Sequence, residues 1–153
     1  MNMEIVNVKK EEELVMCSKL RKKVFGEEEN APEALYIIDE YDRKNDTKNY
    51  LLKVDGTPVA TVRFIKVNDN TIKLQRLVVP KEYRKNGYAR KILNYLEKDA
   101  YDLGYRKIIM DSALKAVGFY EKSNYNKVSD VFYEDNRPHI RMEKELKDKQ
   151  KEK

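Results

Sequence analysis

The chain has 153 residues, enough for one domain around a single buried core. Charged residues make up 39% and apolar residues 41%; no stretch of about 18 apolar residues occurs, which excludes a membrane-spanning helix, and the first ten residues lack the apolar run of a secretory signal. With 32 basic residues against 27 acidic the net charge is +5, but the signs are interleaved, as in Glu143-Lys144-Glu145, which argues against a nucleic-acid groove.

In chain order, residues 4–8 alternate apolar and polar and predict a first strand. Residues 11–25 predict a helix, with Leu14, Val15, Leu20 and Val24 among its apolar positions. The lone cysteine, Cys17, falls at helical spacing with Leu14 and Leu20 and reads as core filler. A single cysteine fits the reducing cytoplasm, the expected location, and with one histidine no metal site is expected. Residues 30–38 form either a second helix, with Pro32 in its first turn, or an irregular segment. The mixed charges and two asparagines of residues 39–49 predict a loop. Residues 50–54 and 58–67 flank Asp55-Gly56, a hairpin signal. Asn68-Asp69-Asn70 makes the next turn, and residues 71–79 the following strand.

The long helix spans residues 87–103: Ala89, Ile92, Leu93, Leu96, Ala100 and Leu103 share one face, and Gly104 ends it. A short buried strand at 107–110, a helix at 113–122 and strands at 126–133 and 137–143 complete the chain. The layout is α/β (α+β): a central mixed, mostly antiparallel sheet flanked by helices on both faces. No linker or repeat interrupts it, so residues 1–145 are expected to be one domain and residues 146–153 a charged tail.

The segment Arg84-Lys85-Asn86-Gly87-Tyr88-Ala89, between the apolar run Leu77-Val78-Val79-Pro80 and the long helix, has the make-up of a pyrophosphate grip. Loop N–H groups converge there, and the helix adds the positive end of its dipole. Gly87 would let a ligand approach the main chain with no Cβ in the way, and Arg84 and Arg90 would flank it with positive charge. An ordinary strand-to-helix turn with surface basic residues is the plainer alternative. Neither the Lys-Ser/Thr ending of a nucleotide-triphosphate loop nor three spaced glycines are present.

This Arg-x-x-Gly-x-Ala pattern resembles the acetyl-CoA loop of the GNAT N-acetyltransferase superfamily. Downstream, Gly118-Phe119-Tyr120-Glu121-Lys122-Ser123-Asn124-Tyr125 resembles that superfamily's "FYEKxGF" segment, with Asn124-Tyr125 where Gly-Phe is usual. Two further stretches resemble the bacterial ElaA-type branch. One runs from Leu20-Arg21-Lys22-Lys23-Val24-Phe25 through Glu28, Asn30 and Pro32 to Asp39-Glu40-Tyr41-Asp42; the other is Arg137-Pro138-His139-Ile140-Arg141-Met142. The resemblance covers roughly residues 4 to 145, with four segments in the right order.

The resemblance implies a GNAT fold and direct transfer of an acetyl group from acetyl-CoA, as cosubstrate, to an amine in a ternary complex. It implies that the main chain of Leu77, Val78 and Val79 receives the pantetheine and thioester, a backbone N–H, that of Val78, polarising the carbonyl. The loop of Arg84, Lys85, Asn86, Gly87, Tyr88, Ala89 and Arg90 would hold the pyrophosphate. Tyr120 matches the general acid that protonates the departing thiolate. Ser112 stands near the place of a cofactor-binding asparagine and could substitute for it.

No carboxylate occurs within residues 71–79, where some members carry their base. Glu40, Asp42 and His139 remain as alternatives, as does proton loss through ordered water. Glu40, Asp42 and Glu134 tilt the expected acceptor, a small-molecule or peptide amine, towards a cationic one. No nucleic acid or membrane is an expected partner, and a homodimer stays open. The rival readings are a non-catalytic acyl-CoA-binding or sensing module on the same fold and a small nucleic-acid-binding protein; the latter rests on charge alone.

Overall fold

A computed structural model describes residues 1–148. The elements are β1 (Met3–Asn7), α1 (Glu11–Arg21), β2 (Lys48–Val54), β3 (Thr57–Lys66), β4 (Thr71–Val78), α2 (Tyr88–Asp102), β5 (Lys107–Ala113), α3 (Val117–Lys122), β6 (Asn126–Lys127), β7 (Phe132–Glu134) and β8 (Arg137–Glu145). They build one sheet in the order β1-β2-β3-β4-β5-β8-β6, with β7 also paired to β8. Every pairing is antiparallel except β4 with β5. This is the mixed, mostly antiparallel sheet with helices on both faces that the patterning predicts.

Alternation along β2 shows how the sequence assigns the two faces. Tyr50 and Leu52 join the cluster containing Ile92, Leu93, Leu96 and Ala100 of α2, whereas Leu51 between them joins Cys17 and Leu20 of α1. Helix α3 contributes Val117 and Tyr120 to the α2 cluster. The expected hairpin turns at Asp55 and Gly56, both at positive φ (50° and 83°), whose twist suits a two-residue turn between antiparallel strands. Cys17 is fully buried, as its spacing predicts. Among the described residues no helix is long and apolar enough to cross a membrane.

Four local expectations are corrected and one is decided. The first helix stops being α-helical at Arg21 and continues as a π-helical stretch, Lys22–Glu28. Of the two readings for residues 30–38 the irregular segment holds, with one 3-10 turn, Glu33–Leu35. The expected short strand at 107–110 runs on to Ala113 because β8 pairs with it along its whole length, from Lys107↔Glu145 to Ala113↔His139. The expected helix at 113–122 begins with a 3-10 turn, Leu114–Ala116, before α3. The expected strand at 126–133 is split into β6 and β7, because the Ser129 hydroxyl, not a backbone carbonyl, takes the N–H of Arg141. At the start of the charged tail, Leu146 is buried and its N–H donates to the Arg106 carbonyl; residues 149–153 lie outside the described residues.

One departure from regularity shapes the molecule's centre. β4 and β5 pair only at Thr71↔Lys107, Ile72↔Ile108 and Lys73↔Ile109, although both strands continue well beyond. Past Lys73 the two strands separate, and the edge of β4 towards β5 has no strand partner.

Candidate functional site

The separation has a local cause in β4. Thr61 pairs with Val78 but Arg63 pairs with Gln75, so Arg76 and Leu77 together oppose Val62. This is a bulge, which bends the strand and sharpens its twist. Arg76 takes a left-handed conformation (φ 59°), which costs a side-chain-bearing residue about 1–2 kcal/mol. The sequence carries a trace of the bulge: Leu74 and Leu77 both pack into the α2 cluster although they stand three positions apart, not two or four.

Between the parted strands lies a cavity of about 200 Å³. Leu77, Ser112, Tyr120 and His139, all singled out from sequence, border it. The π-helical stretch and the residue that follows it add Phe25 and Glu29 to its wall, and the β7–β8 turn adds Glu134 and Asp135.

Tyr120 is buried, its ring meeting Phe119 and Tyr125 edge-on at centroid distances of 5.1 and 5.6 Å. Burial pushes its phenol well above the usual tyrosine range, so the hydroxyl keeps its proton. Ser112 donates its hydroxyl proton to the Ala113 carbonyl at 2.9 Å. His139 is buried against Phe132, ring centroids 6.1 Å apart, with Nδ1 2.8 Å from the Arg137 carbonyl oxygen. A carbonyl only accepts, so Nδ1 carries the hydrogen and the neutral ring keeps its lone pair on Nε2.

The predicted pyrophosphate loop lies just past the end of β4. Gly87 (φ 77°) caps α2, and a Cβ built on it would meet open space. No side chain caps the helix, so the first-turn N–H groups remain open to a ligand. Asn86 braces the loop by donating to the carbonyls of Tyr83 and Arg84. Lys85, Arg90 and Ala89 are wholly or partly exposed, but the Tyr88 side chain is buried in the core, so this residue can offer a ligand only its main chain. Arg84 is not a free positive charge: its guanidinium donates to the Val79 carbonyl and pairs with Glu28, which also takes the Lys81 N–H.

The acidic N-terminal segment departs most from expectation. The Asp42 side chain is fully buried, with Arg21 and Arg63 on its carboxylate at 3.0–3.1 Å and the Asp39 N–H at 3.0 Å. Arg63 is paired with Asp39 as well and donates to Gln75, while Arg21 also reaches Asn49. The predicted loop is therefore stapled to α1, β2 and β3. Burial by itself would raise the Asp42 pKa, but the two guanidiniums and the Asp39 N–H win and hold it well below the usual carboxylate range. Asp42 is thus a structural anion and no base. Glu40 is exposed, lies outside the cavity wall and has no side-chain hydrogen bond or ion pair among the described residues, so the expected acid of the acceptor site is not brought to it.

Apart from Glu134, sequence reasoning missed the charged residues that line the cavity. Asp111 receives Lys73 at 3.0 Å and is paired with Arg141; burial opposes its ionisation, and these two cations more than offset it, lowering its pKa. Glu29 takes Lys115 at 3.0 Å and Arg137. Arg76 also lines the wall.

The chain matches the family model described as "Acetyltransferase (GNAT) domain" over residues 8–146. It is 34% identical over 147 residues to a protein of Bacillus subtilis (strain 168) provisionally named an acetyltransferase, covering 92% of this chain and 97% of that one. Among solved structures it resembles Escherichia coli ElaA (TM-score 0.80, 22% identity, 93% of this chain and 99% of that one). It also resembles an aminoglycoside 6'-N-acetyltransferase complexed with coenzyme A (TM-score 0.77, 20% identity, 97% and 98%). At these identities the two structural likenesses concern the fold.

Proposed function

We propose, given that this chain belongs to the GNAT acetyltransferase family, that it moves the acetyl group of acetyl-CoA directly onto a primary amine within a ternary complex. Membership makes it an acyltransferase; the donor, the acceptor class and the residue roles are our reading. The observation that carries it is the parting of β4 from β5 beyond Lys73, with Tyr120 and His139 on the walls of the gap and the Gly87 loop at its end.

In this reading the N–H groups at the start of α2 take the pyrophosphate, and Arg84 exchanges Glu28 for phosphate. The unpartnered edge of β4, through Leu77, Val78 and Val79, receives the pantetheine, and the Val78 N–H polarises the thioester carbonyl. His139 Nε2 takes the ammonium proton, directly or through one water. The amine lone pair attacks the thioester carbon, the C–S bond breaks, and Tyr120 gives its hydroxyl proton to the leaving thiolate. Ser112 serves to shape the wall, since its hydroxyl is committed to Ala113.

Acetyl-CoA at about a hundredfold above its dissociation constant should stabilise the fold by roughly 2.7 kcal/mol, visible as a higher melting temperature. Gly87→Val should lose most of that shift, because the added branches enter the open space beside the helix N-terminus. The absence of both a thermal shift and calorimetric heat with wild type would sink the proposal. Thiol release that depends on added amine separates transfer from mere acyl-CoA binding.

His139→Asn should lower kcat by roughly 10²- to 10⁴-fold while acetyl-CoA affinity changes little, the loss of one proton-transfer group. An unchanged single-turnover rate in the variant would leave proton removal to water.

A further inference from the structure

We propose that Arg76 recognises a carboxylate carried by the acceptor amine, so that the acceptor is an aminocarboxylate and not a simple cationic amine. This rests on the acyltransfer reading above and specifies its substrate.

The cavity's positive groups differ in one respect. Lys73 is held by Asp111, and Lys115 and Arg137 are both held by Glu29. Arg76 borders the same cavity and has no side-chain hydrogen bond or ion pair among the described residues. The anions nearest in the fold are already engaged: Asp42 and Asp39 are taken up by Arg21 and Arg63. The Gln75 side-chain oxygen is occupied by Arg63 too.

The half-buried Arg76 guanidinium has five donors and no acceptor of its own, and the donors that reach the open cavity are met by solvent until a ligand brings a better acceptor. Its setting sharpens the demand, since burial and the like charges of Arg63 and Arg21 push its pKa down to about 10. A carboxylate answers both needs, because it pairs with guanidinium through two parallel hydrogen bonds and restores charge balance. The backbone also points to a role outside folding. Arg76 stands in a left-handed conformation that glycine or asparagine would adopt with less strain, and such outliers persist where the side chain is needed for something else. Its place on the bulge sets it on the strand that would hold the thioester, one residue before Leu77. The acidic residues that suggested a cationic acceptor do not compete. Asp42 is paired with two guanidiniums, Glu40 is not part of the cavity wall, and Glu134 and Asp135 are exposed at its rim.

The test compares amino acids with their decarboxylated counterparts, phenylalanine against phenethylamine and lysine against cadaverine, with acetyl-CoA as donor. Wild type should favour the carboxylate-bearing member by about 10- to 100-fold in kcat/KM, the range of a charged hydrogen-bonded pair. Arg76→Gln should collapse that ratio towards one, mainly by raising KM for the amino acid. Arg76→Gly should do the same while melting no lower than wild type, because glycine fits the left-handed position. Where no amine gives turnover, calorimetric titration of each pair into CoA-saturated protein reads the same ratio.

A wild-type ratio near one overturns the inference, as does an equal fall for both members of a pair, or an Arg76→Gly protein that melts well below wild type. If Arg76→Gln instead impairs succinyl-CoA relative to acetyl-CoA with phenethylamine as acceptor, the carboxylate belongs to the donor and the acceptor assignment falls. Acetyl-CoA calorimetry on the same samples separates the two levels: wild type that binds acetyl-CoA but does not discriminate refutes this inference alone, and wild type that binds none refutes the acyltransfer reading beneath it.

Discussion

Tyr120→Phe should lower turnover by roughly 10²- to 10⁴-fold, the worth of one well-placed proton-transfer group, with little effect on acetyl-CoA affinity. The substitution removes one oxygen and keeps the ring that packs against Phe119 and Tyr125. The Tyr120 hydroxyl has no hydrogen-bond partner among the described residues, so its loss strands no other group and folding should be nearly unaffected. Burial holds the phenol protonated across the working pH range, which leaves it a proton to give and rules out service as a base, while making it a weaker acid than a solvated tyrosine. Tyr120 should therefore contribute no alkaline limb below about pH 10, the ordinary tyrosine value. The decisive measurement is a single-turnover rate, limited by chemistry. Equal rates for the two proteins would make Tyr120 a packing residue and leave the thiolate to be protonated by solvent.

Asp42→Ala should cost about 3–5 kcal/mol of stability, because it leaves Arg21 and Arg63 buried beside each other with one shared anion gone. The Asp42 and Arg21 side chains are 0% and 1% exposed, so solvent screening does not reduce this figure as it would at the surface. Removing one partner is the costly change; replacing the whole cluster by well-packed apolar residues could be neutral. The pH dependence follows from the depressed pKa. A carboxylate whose folded-state pKa lies below its unfolded value of about 3.9 stabilises the fold above that pH, and the contribution fades as pH falls towards the folded value. The gap in unfolding free energy between wild type and Asp42→Ala should be flat near neutrality and shrink below about pH 4. A variant that melts within a degree or two of wild type at pH 7 would show that Asp39 and Gln75 suffice to hold Arg63.

The pattern of residues by itself determined the architecture. Alternation in residues 4–8, the Asp55-Gly56 turn and the apolar stripe of α2 are local signals, and the structure obeys them because each face of one sheet must be covered by a helix. The loop at Gly87 was legible for the same reason: strand, glycine and helix N-terminus are contiguous in the chain. Tyr120 and His139 were named from short motifs, but that they share one cavity is a tertiary fact, since nineteen positions separate them and β8 must pair back along β5 to bring them together.

Charge was where sequence reading failed. A run such as Asp39-Glu40-Tyr41-Asp42 looks like a solvated acidic loop because composition says nothing of partners. Arg21 and Arg63 lie on distant elements, and only their convergence in a dry interior turns Asp42 into a buried structural anion. Arg76 shows the converse. It reads as one basic residue in a strand, and only a bulge that leaves its guanidinium beside a cavity, with Asp39, Asp42, Glu29 and Asp111 already paired to other cations, makes it a candidate for substrate recognition. Backbone periodicity is written locally in the chain, whereas the electrostatic state of a side chain depends on what folding places within a few ångströms of it.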